Sequence, residues 1–322
     1  MRRKKKLMKL DDVFTQNIKT CAIVGHVSPD GDAVGSTAAL FLYVRRNYPW
    51  IDAELYLERP KESLMFLPGL SDAFFETPEE STRDLFVSCD VSSTDRFGVA
   101  GNLFPLAKKT FCIDHHVSNP LFADINVVDA EASSCAEVLY GLMDPAKIDL
   151  DIATALYTGL VHDSGVFQYS NTRGKTLRVA ADLLERGVPA SRIIDESFNQ
   201  RTMRQSRILG KVLQESELYM DGKVIVGSVT LGDMSSFEVT KKDLDGIVSE
   251  MRLVQGVLAA VFIYETEPGV FKVSLRSNGD LDVSRAAGTF GGGGHIKAAG
   301  CTIQGTIPNV RRMLLDELAK YI

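Results

Sequence analysis

Short apolar runs, three of them ending in aspartate or histidine, alternate with helix-like stretches in the first half of this 322-residue chain. "CAIVGH" (21–26), "AELYL" (53–57), "DLFVSCD" (84–90) and "TFCIDHH" (110–116) have the length and apolarity of strands buried on both faces. Between and after them, 33–48, 133–143 and 151–163 read as helices, the first stopped by Pro49 and the second capped by Ser133 or Ser134. Strands alternating with helices predict an α/β fold built on a doubly wound, mostly parallel sheet.

In such a sheet, ligands bind beyond the carboxyl ends of the strands, and that is where the acids and imidazoles fall. "GHVSPDGDAVGS" follows the first strand and packs His26, Asp30 and Asp32 into one turn. Asp90 closes the third run, and Asp114, His115 and His116 close the fourth. Asp163 sits in the last turn of a helix, where the dipole disfavours a carboxylate. Of the five histidines in the chain, all but His295 lie in these segments. Carboxylates so placed repel unless a cation holds them. The charge of Asp30, Asp32, Asp90 and Asp163 balances two divalent ions, and mixed carboxylate and imidazole donors favour a transition metal such as Mn²⁺. Two such ions activate water and clamp a phosphoryl oxygen, so the chemistry predicted is metal-assisted phosphoester hydrolysis.

The remainder of the chain predicts a second unit. Residues 176–187 read as a helix, 190–216 as one long charged linker helix, 218–230 as a hairpin around an Asp-Gly turn, and 241–256 as a helix. Residues 257–277 read as two strands, and 309–322 as an amphipathic helix. The expected division is a catalytic domain over 1–188, a helical linker over 189–217, and a smaller substrate-binding α/β domain with a mixed sheet over 218–322. In "VFKVSLRS", Arg276 alternates with apolar residues and so takes the polar face, as a fork for phosphate. "FGGGGHIKAAG" reads as a loop whose bare backbone lets a ligand approach, with Gly292, Gly293, Gly294 and His295 as its binding residues.

Composition narrows the function classes. A net charge of −6 gives no broad basic face for long nucleic acid, so short fragments or nucleotides fit better. The basic "MRRKKK" start reads as a solvated tail rather than a signal peptide, and no apolar run is long enough to span a membrane. The five cysteines show no CxxC spacing and read as buried reduced thiols, so the expected location is the cytoplasm.

"HVSPDGDAVGS", "CDVSSTDR", "IDHH" and "VHDSG" resemble the four motifs of the DHH phosphoesterases, and "SLRS" with "GGGGHIKAAG" resembles the associated domain that ends in a GGGH signature. The resemblance runs through nearly the whole chain in the family's order and is nearest to the bacterial oligoribonuclease and pAp phosphatase group. It implies that His26, Asp30 and Asp90 hold one Mn²⁺, and that Asp32, Asp90, His115 and Asp163 hold another, with Asp90 bridging and Mg²⁺ or Co²⁺ as substitutes. It implies that Asp114 orients a histidine, that His116 faces the scissile phosphate, and that Arg276 and His295 bind a terminal phosphate. The implied substrates are short single-stranded RNA and pAp. A phosphodiesterase for cyclic-di-AMP or pApA is the alternative, and a pyrophosphatase or a non-catalytic nucleotide-binding regulator fits less well. A homodimer is compatible with this reading. Phe167, Tyr169 and Phe290 stand near the motifs as candidates for base stacking or for the core.

Overall fold

The structure is a computed structural model in which residues 8–322 are described. The basic run Arg2–Lys6 lies outside them. Two compact units divide after Gln200.

The first unit is built on a five-stranded parallel sheet. Its strands are β1 (Thr20–Val24), β2 (Asp52–Tyr56), β3 (Leu85–Cys89), β4 (Thr110–Asp114) and β5 (Ile125–Val128), in the order β2-β1-β3-β4-β5. Helices α1 (Gly31–Asn47), α2 (Cys135–Leu142), α3 (Leu150–Asp163) and α4 (Gly174–Glu185) contribute to one core with Cys21, Ile23, Val87, Phe111 and Ile113. Alternate strand residues Ala22, Val24 and Phe86 face a second cluster with Phe97, Phe104 and Phe122. Rings of that cluster meet edge-on or tilted at centroid separations of 4.9–5.9 Å. Burial on both faces explains why these strands read as continuous apolar runs. It also leaves only their ends for polar residues, so Asp90 and Asp114 collect at the carboxyl rim.

The stretch expected to be one linker helix is not one. A short helix α5 (Ala190–Ile194) passes into a π-turn at Asp195–Asn199, and Gln200 is extended. Then α6 (Met203–Glu215) begins anew. The reason is local: Thr202 accepts from the Gln205 N–H at 3.2 Å, and the Gln205 side chain accepts from the Thr202 N–H at 2.8 Å. This reciprocal box starts a helix and cannot sit inside one.

In the second unit a six-stranded mixed sheet comprises β6 (Glu217–Tyr219), β7 (Val224–Val229), β8 (Ala259–Glu267), β9 (Val270–Ser277), β10 (Gly293–His295) and β11 (Ala298–Gln304). Its order is β10-β11-β9-β8-β7-β6, with β7 and β8 parallel and every other pair antiparallel. Helices α9 (Val283–Thr289) and α10 (Ile307–Leu318) cover one face over Val273, Leu275 and Ile303. Helix α6 packs on the other face over Ile225, Ala260 and Phe262, together with α7 (Leu231–Ser236) and α8 (Ile247–Met251). The helix expected over 241–256 is a 3₁₀ turn (Lys241–Leu244) and then α8, parted by Gly246 at φ 83°.

Candidate metal centre

The turn after β1 is shaped by its own carboxylates. Asp30 caps α1, its Oδ1 accepting from the Asp32 and Ala33 N–H groups at 3.0 and 3.1 Å. Gly31 must be glycine: a Cβ there would lie 2.1 Å from Cγ of His162, whose ring packs against the turn. Asp32 is buried and faces the start of α2, its oxygens accepting from the N–H groups of Cys135 (2.6 Å) and Ala136 (3.0 Å). A helix N-terminus thus offsets part of this charge. His26 places Nδ1 2.7 Å from the Val27 carbonyl, which directs Nδ1–H to that oxygen and leaves Nε2 facing the carboxylates of Asp30 and Asp90.

These groups converge on Asp90. It is 3% exposed, stands just past the end of β3, and adopts φ 61°, left-handed backbone that a non-glycine residue seldom takes. Its Oδ2 is 3.5 Å from His26 Nε2, and its Oδ1 is 3.4 Å from His115 Nε2 and 3.6 Å from His116 Nδ1. His26 Nε2 also lies 3.7 Å from Asp30 Oδ1. His115 Nε2 lies 3.4 Å from Asp163 Oδ2 and 3.9 Å from Asp32 Oδ2. These separations exceed hydrogen-bond length. They match donor atoms sharing one cation at about 2.1 Å. His26, Asp30 and Asp90 form one group able to hold an ion, and Asp32, His115 and Asp163 form another. A third combines Asp90, His115 and His116. Asp90 Oδ1 is buried without a hydrogen-bond partner, an expensive state for a carboxylate oxygen that a cation would relieve. The residues present therefore fit a bound metal cation, and Asp90 belongs to two of the three groups able to hold one.

Titration reflects the same crowding. Burial pushes the Asp163 carboxyl up to about 7, with the nearby Asp90 and Asp30 charges adding to it. Burial also raises Asp32 well above the carboxylate range, with Asp90 and Asp163 contributing. Burial opposes protonation of His26, but Asp30 and Asp90 overcome it and lift the imidazole to about 10. His115 reaches about 10 in the same way, through Asp90, Asp32 and Asp163. Without metal, protons do the neutralising.

Asp114 is wholly buried and does not join the cluster. Its Oδ1 accepts from His116 Nδ1 at 2.7 Å and from the His115 N–H at 2.8 Å. Its Oδ2 accepts from Asn119 Nδ2 at 2.6 Å, and the same amide donates to the Val91 carbonyl at 3.1 Å. Contact with Asp114 is the main cause that raises the His116 pKa. Asn119 is a site residue absent from the sequence reading, although its place three residues after the histidine pair is a usable signal. Nothing in the sequence announces the α2 N–H groups that hold Asp32.

In the second unit, Arg276 and His295 meet the same residue from opposite sides. Arg276 on β9 pairs with Ala298 on β11, and Ala298 pairs with His295 on β10. Residues in register share a face, so both side chains project from one side of the sheet, about 10 Å apart across two strand spacings. The segment expected as a loop is here a short edge strand. Gly292 and Gly294 bring it close to β11: a Cβ would lie 2.2 Å from the Gly300 carbonyl in the first case and 2.4 Å from the Ala298 carbonyl in the second. Of the three aromatic candidates, Phe167 packs against Tyr157 and Phe290 against the second core, while Tyr169 is 46% exposed.

The model of the DHH family N-terminal domain matches residues 20–160, and that of the DHHA1 domain matches residues 221–322. A Thermus thermophilus protein described as bifunctional oligoribonuclease and PAP phosphatase NrnA is 33% identical over 88% of this chain and 84% of its own length. The chain belongs to the DHH family. A Bacillus subtilis protein of the same description is 28% identical over 86% of this chain and 87% of its own. The fold matches the crystal structure of an exopolyphosphatase-related protein from Bacteroides fragilis, with TM-score 0.88, 24% identity and 98% coverage of both chains. As a DHH phosphoesterase this chain is a hydrolytic enzyme, and enzymes of the family depend on metal ions. No helix among the described residues is long and apolar enough to cross a membrane.

Proposed function

We propose that this enzyme hydrolyses short oligoribonucleotides to mononucleotides and dephosphorylates pAp to AMP, using two Mn²⁺ ions. The observation that carries this reading is Asp90, whose two oxygens face two separate donor groups. His26, Asp30 and Asp90 would hold one ion, and Asp32, Asp90, His115 and Asp163 the other. So bound, the pair supplies an activated water and charge for the phosphoryl oxygens. The remaining groups are the chain's own. Asp114 accepts the Nδ1 proton of His116 and so aims Nε2 outward, where a protonated ring can pass a proton to the leaving oxygen. Asn119 holds Asp114 in that pose. Arg276 and His295 would grip the phosphate that does not react, which pAp and oligonucleotides carry and simple monoesters lack. The curated relatives' names support these two substrates. We also propose that the family domains act as a catalytic part and a substrate-binding part, and that the enzyme works in the cytoplasm.

The test is chromatographic product analysis with Mn²⁺ on pAp, di- to pentaribonucleotides, cyclic-di-AMP, pApA and pyrophosphate. AMP from pAp and mononucleotides from the oligomers are expected. Turnover confined to cyclic-di-AMP, pApA or pyrophosphate would overturn the reading.

A further inference from the structure

The row that joins Arg276 to His295 is one of three parallel rows on the same face of the second sheet. Its neighbour contains Phe262, Ser274, Gly300 and Gly293, and the next contains Tyr264, Lys272 and Thr302. The intervening residues Phe271, Val273, Leu275, Ala299, Cys301 and Ile303 belong to the core under α9 and α10. Lys272, Ser274 and Arg276 must therefore project from the opposite face. Apolar helix residues meet this face at Ile225, Ala260 and Phe262 on β7 and β8; α8 also approaches β9, beyond which lie β11 and β10. Along β9, β11 and β10, Lys272, Thr302, Gly293 and His295 are exposed.

Beyond Phe262, on β9, β11 and β10, the middle row is nearly bare. Ser274 carries a hydroxymethyl group, Gly300 and Gly293 carry nothing, and a Cβ on Gly293 would meet open space. The face is thus a shallow trough with polar backbone at its floor and a cationic side chain at each end. Arg276 and Lys272 are four residues apart on one strand, which is about 13 Å. A nucleic-acid strand carries one phosphate per about 3.4 Å when stacked and fewer per length when stretched. The two cations therefore match phosphates about two to four nucleotides apart.

We propose that Lys272, with Thr302 beside it, is a second phosphate subsite that holds the distal backbone of single-stranded RNA while Arg276 and His295 hold the proximal phosphate. Oligomers of about three to five nucleotides fill the whole trough, whereas pAp and dinucleotides reach only its Arg276 end. The inference rests on the proposed nucleotide-hydrolase reading and sets a length preference within it.

The test compares wild type, Lys272→Ala and Lys272→Arg in two assays. One is steady-state kinetics on pAp and on a pentaribonucleotide with Mn²⁺ at several KCl concentrations. The other is fluorescence anisotropy of a labelled pentaribonucleotide in EDTA, which reads binding without turnover. Lys272→Ala should raise KM and Kd for the pentamer about two- to fivefold, as for an exposed ion pair. It should flatten the logarithmic salt dependence by about 0.7 and move the KM for pAp by less than twofold. Lys272→Arg should restore the pentamer values. Equal losses on pAp and pentamer, or an unchanged pentamer Kd and salt slope, would overturn the subsite. A wild type that binds the pentamer through Lys272 yet turns over neither substrate would leave the subsite standing and overturn the proposed activity. A wild type that does neither overturns both.

Discussion

Removing metal should make this protein less stable as pH rises, from mildly acid to alkaline, and Mn²⁺ should restore most of what is lost. The sign follows from the cluster. Asp163 has a folded pKa of about 7 against an ordinary value of 3.8, so the folded state binds the extra proton and loses stability as pH rises between those values. His26 and His115 have folded values of about 10 against 6.5, so the stability of their ion pairs is complete below 6.5 and drains away as pH rises toward 10. Taken alone, the Asp163 difference is worth about 4 kcal/mol. Its proton and that of His115 are shared across a 3.4 Å contact, so their effects do not sum; this pair loses about 3 kcal/mol between pH 5 and pH 8.5, and His26 adds to that loss. Bound at these groups, Mn²⁺ would take the place of these protons and add its own binding to the folded state, so the gap between metal-loaded and EDTA-treated protein should widen with pH. Urea unfolding at both pH values, with EDTA and with Mn²⁺, reads this directly. Asp163→Asn should make the metal-free protein less pH-sensitive while shrinking the response to Mn²⁺. A metal-free protein equally stable or more stable at pH 8.5 would refute this electrostatic account of the site.

Three further outcomes follow from single contacts. Gly31→Ala should cost about 1–3 kcal/mol, because its methyl enters the His162 ring. That ring cannot retreat, being held by Ser197 (Nε2 to Oγ 2.9 Å) and stacked edge-on with Phe198. Added to His162→Ala, the same substitution should cost far less, and strict additivity in urea unfolding would contradict this. Asn119→Ala removes a donor from buried Asp114 and should lower kcat more than it raises KM, with about 1–3 kcal/mol lost from stability. A pure KM effect would count against its part in orienting His116. Arg276→Ala should cut kcat/KM for pAp about tenfold to a hundredfold and leave p-nitrophenyl phosphate nearly untouched, whereas equal losses would place Arg276 in the fold or the chemistry.

The first unit was legible in the sequence because its central strands β1, β3 and β4 are buried on both faces and lead straight into acids or histidines. A run such as "DLFVSCD" states its element, its burial and its rim residue together. β5 was missed for the opposite reason: it is an edge strand, every residue of it half-buried, and "INVV" carries no such signature. The second unit was less legible because its sheet is mixed and one of its two three-residue strands is Gly-Gly-His. "GGGGH" has no strand propensity, and it pairs only because β11 offers a surface that a Cβ would keep it from reaching. The break before α6 was written in Thr202 and Gln205, but the charged helical pattern on both sides hid it.

What the sequence could not show is how two unfavourable features are combined in Asp90. Left-handed backbone at a non-glycine residue costs about 1 kcal/mol or more, and a buried carboxylate oxygen without a partner costs at least as much. A chain free to avoid them would extend β3 by one ordinary residue. The turn at φ 61° instead ends the strand and swings Asp90 to where Oδ2 faces His26 and Oδ1 faces His115, so that neither oxygen is used up by a backbone N–H. Asp32 shows the contrast: both of its oxygens accept N–H bonds from α2, and it contributes to only one donor group. Strain and the missing partner are thus one device, which keeps a carboxylate open on both sides at the point where two groups of metal-ligating side chains meet.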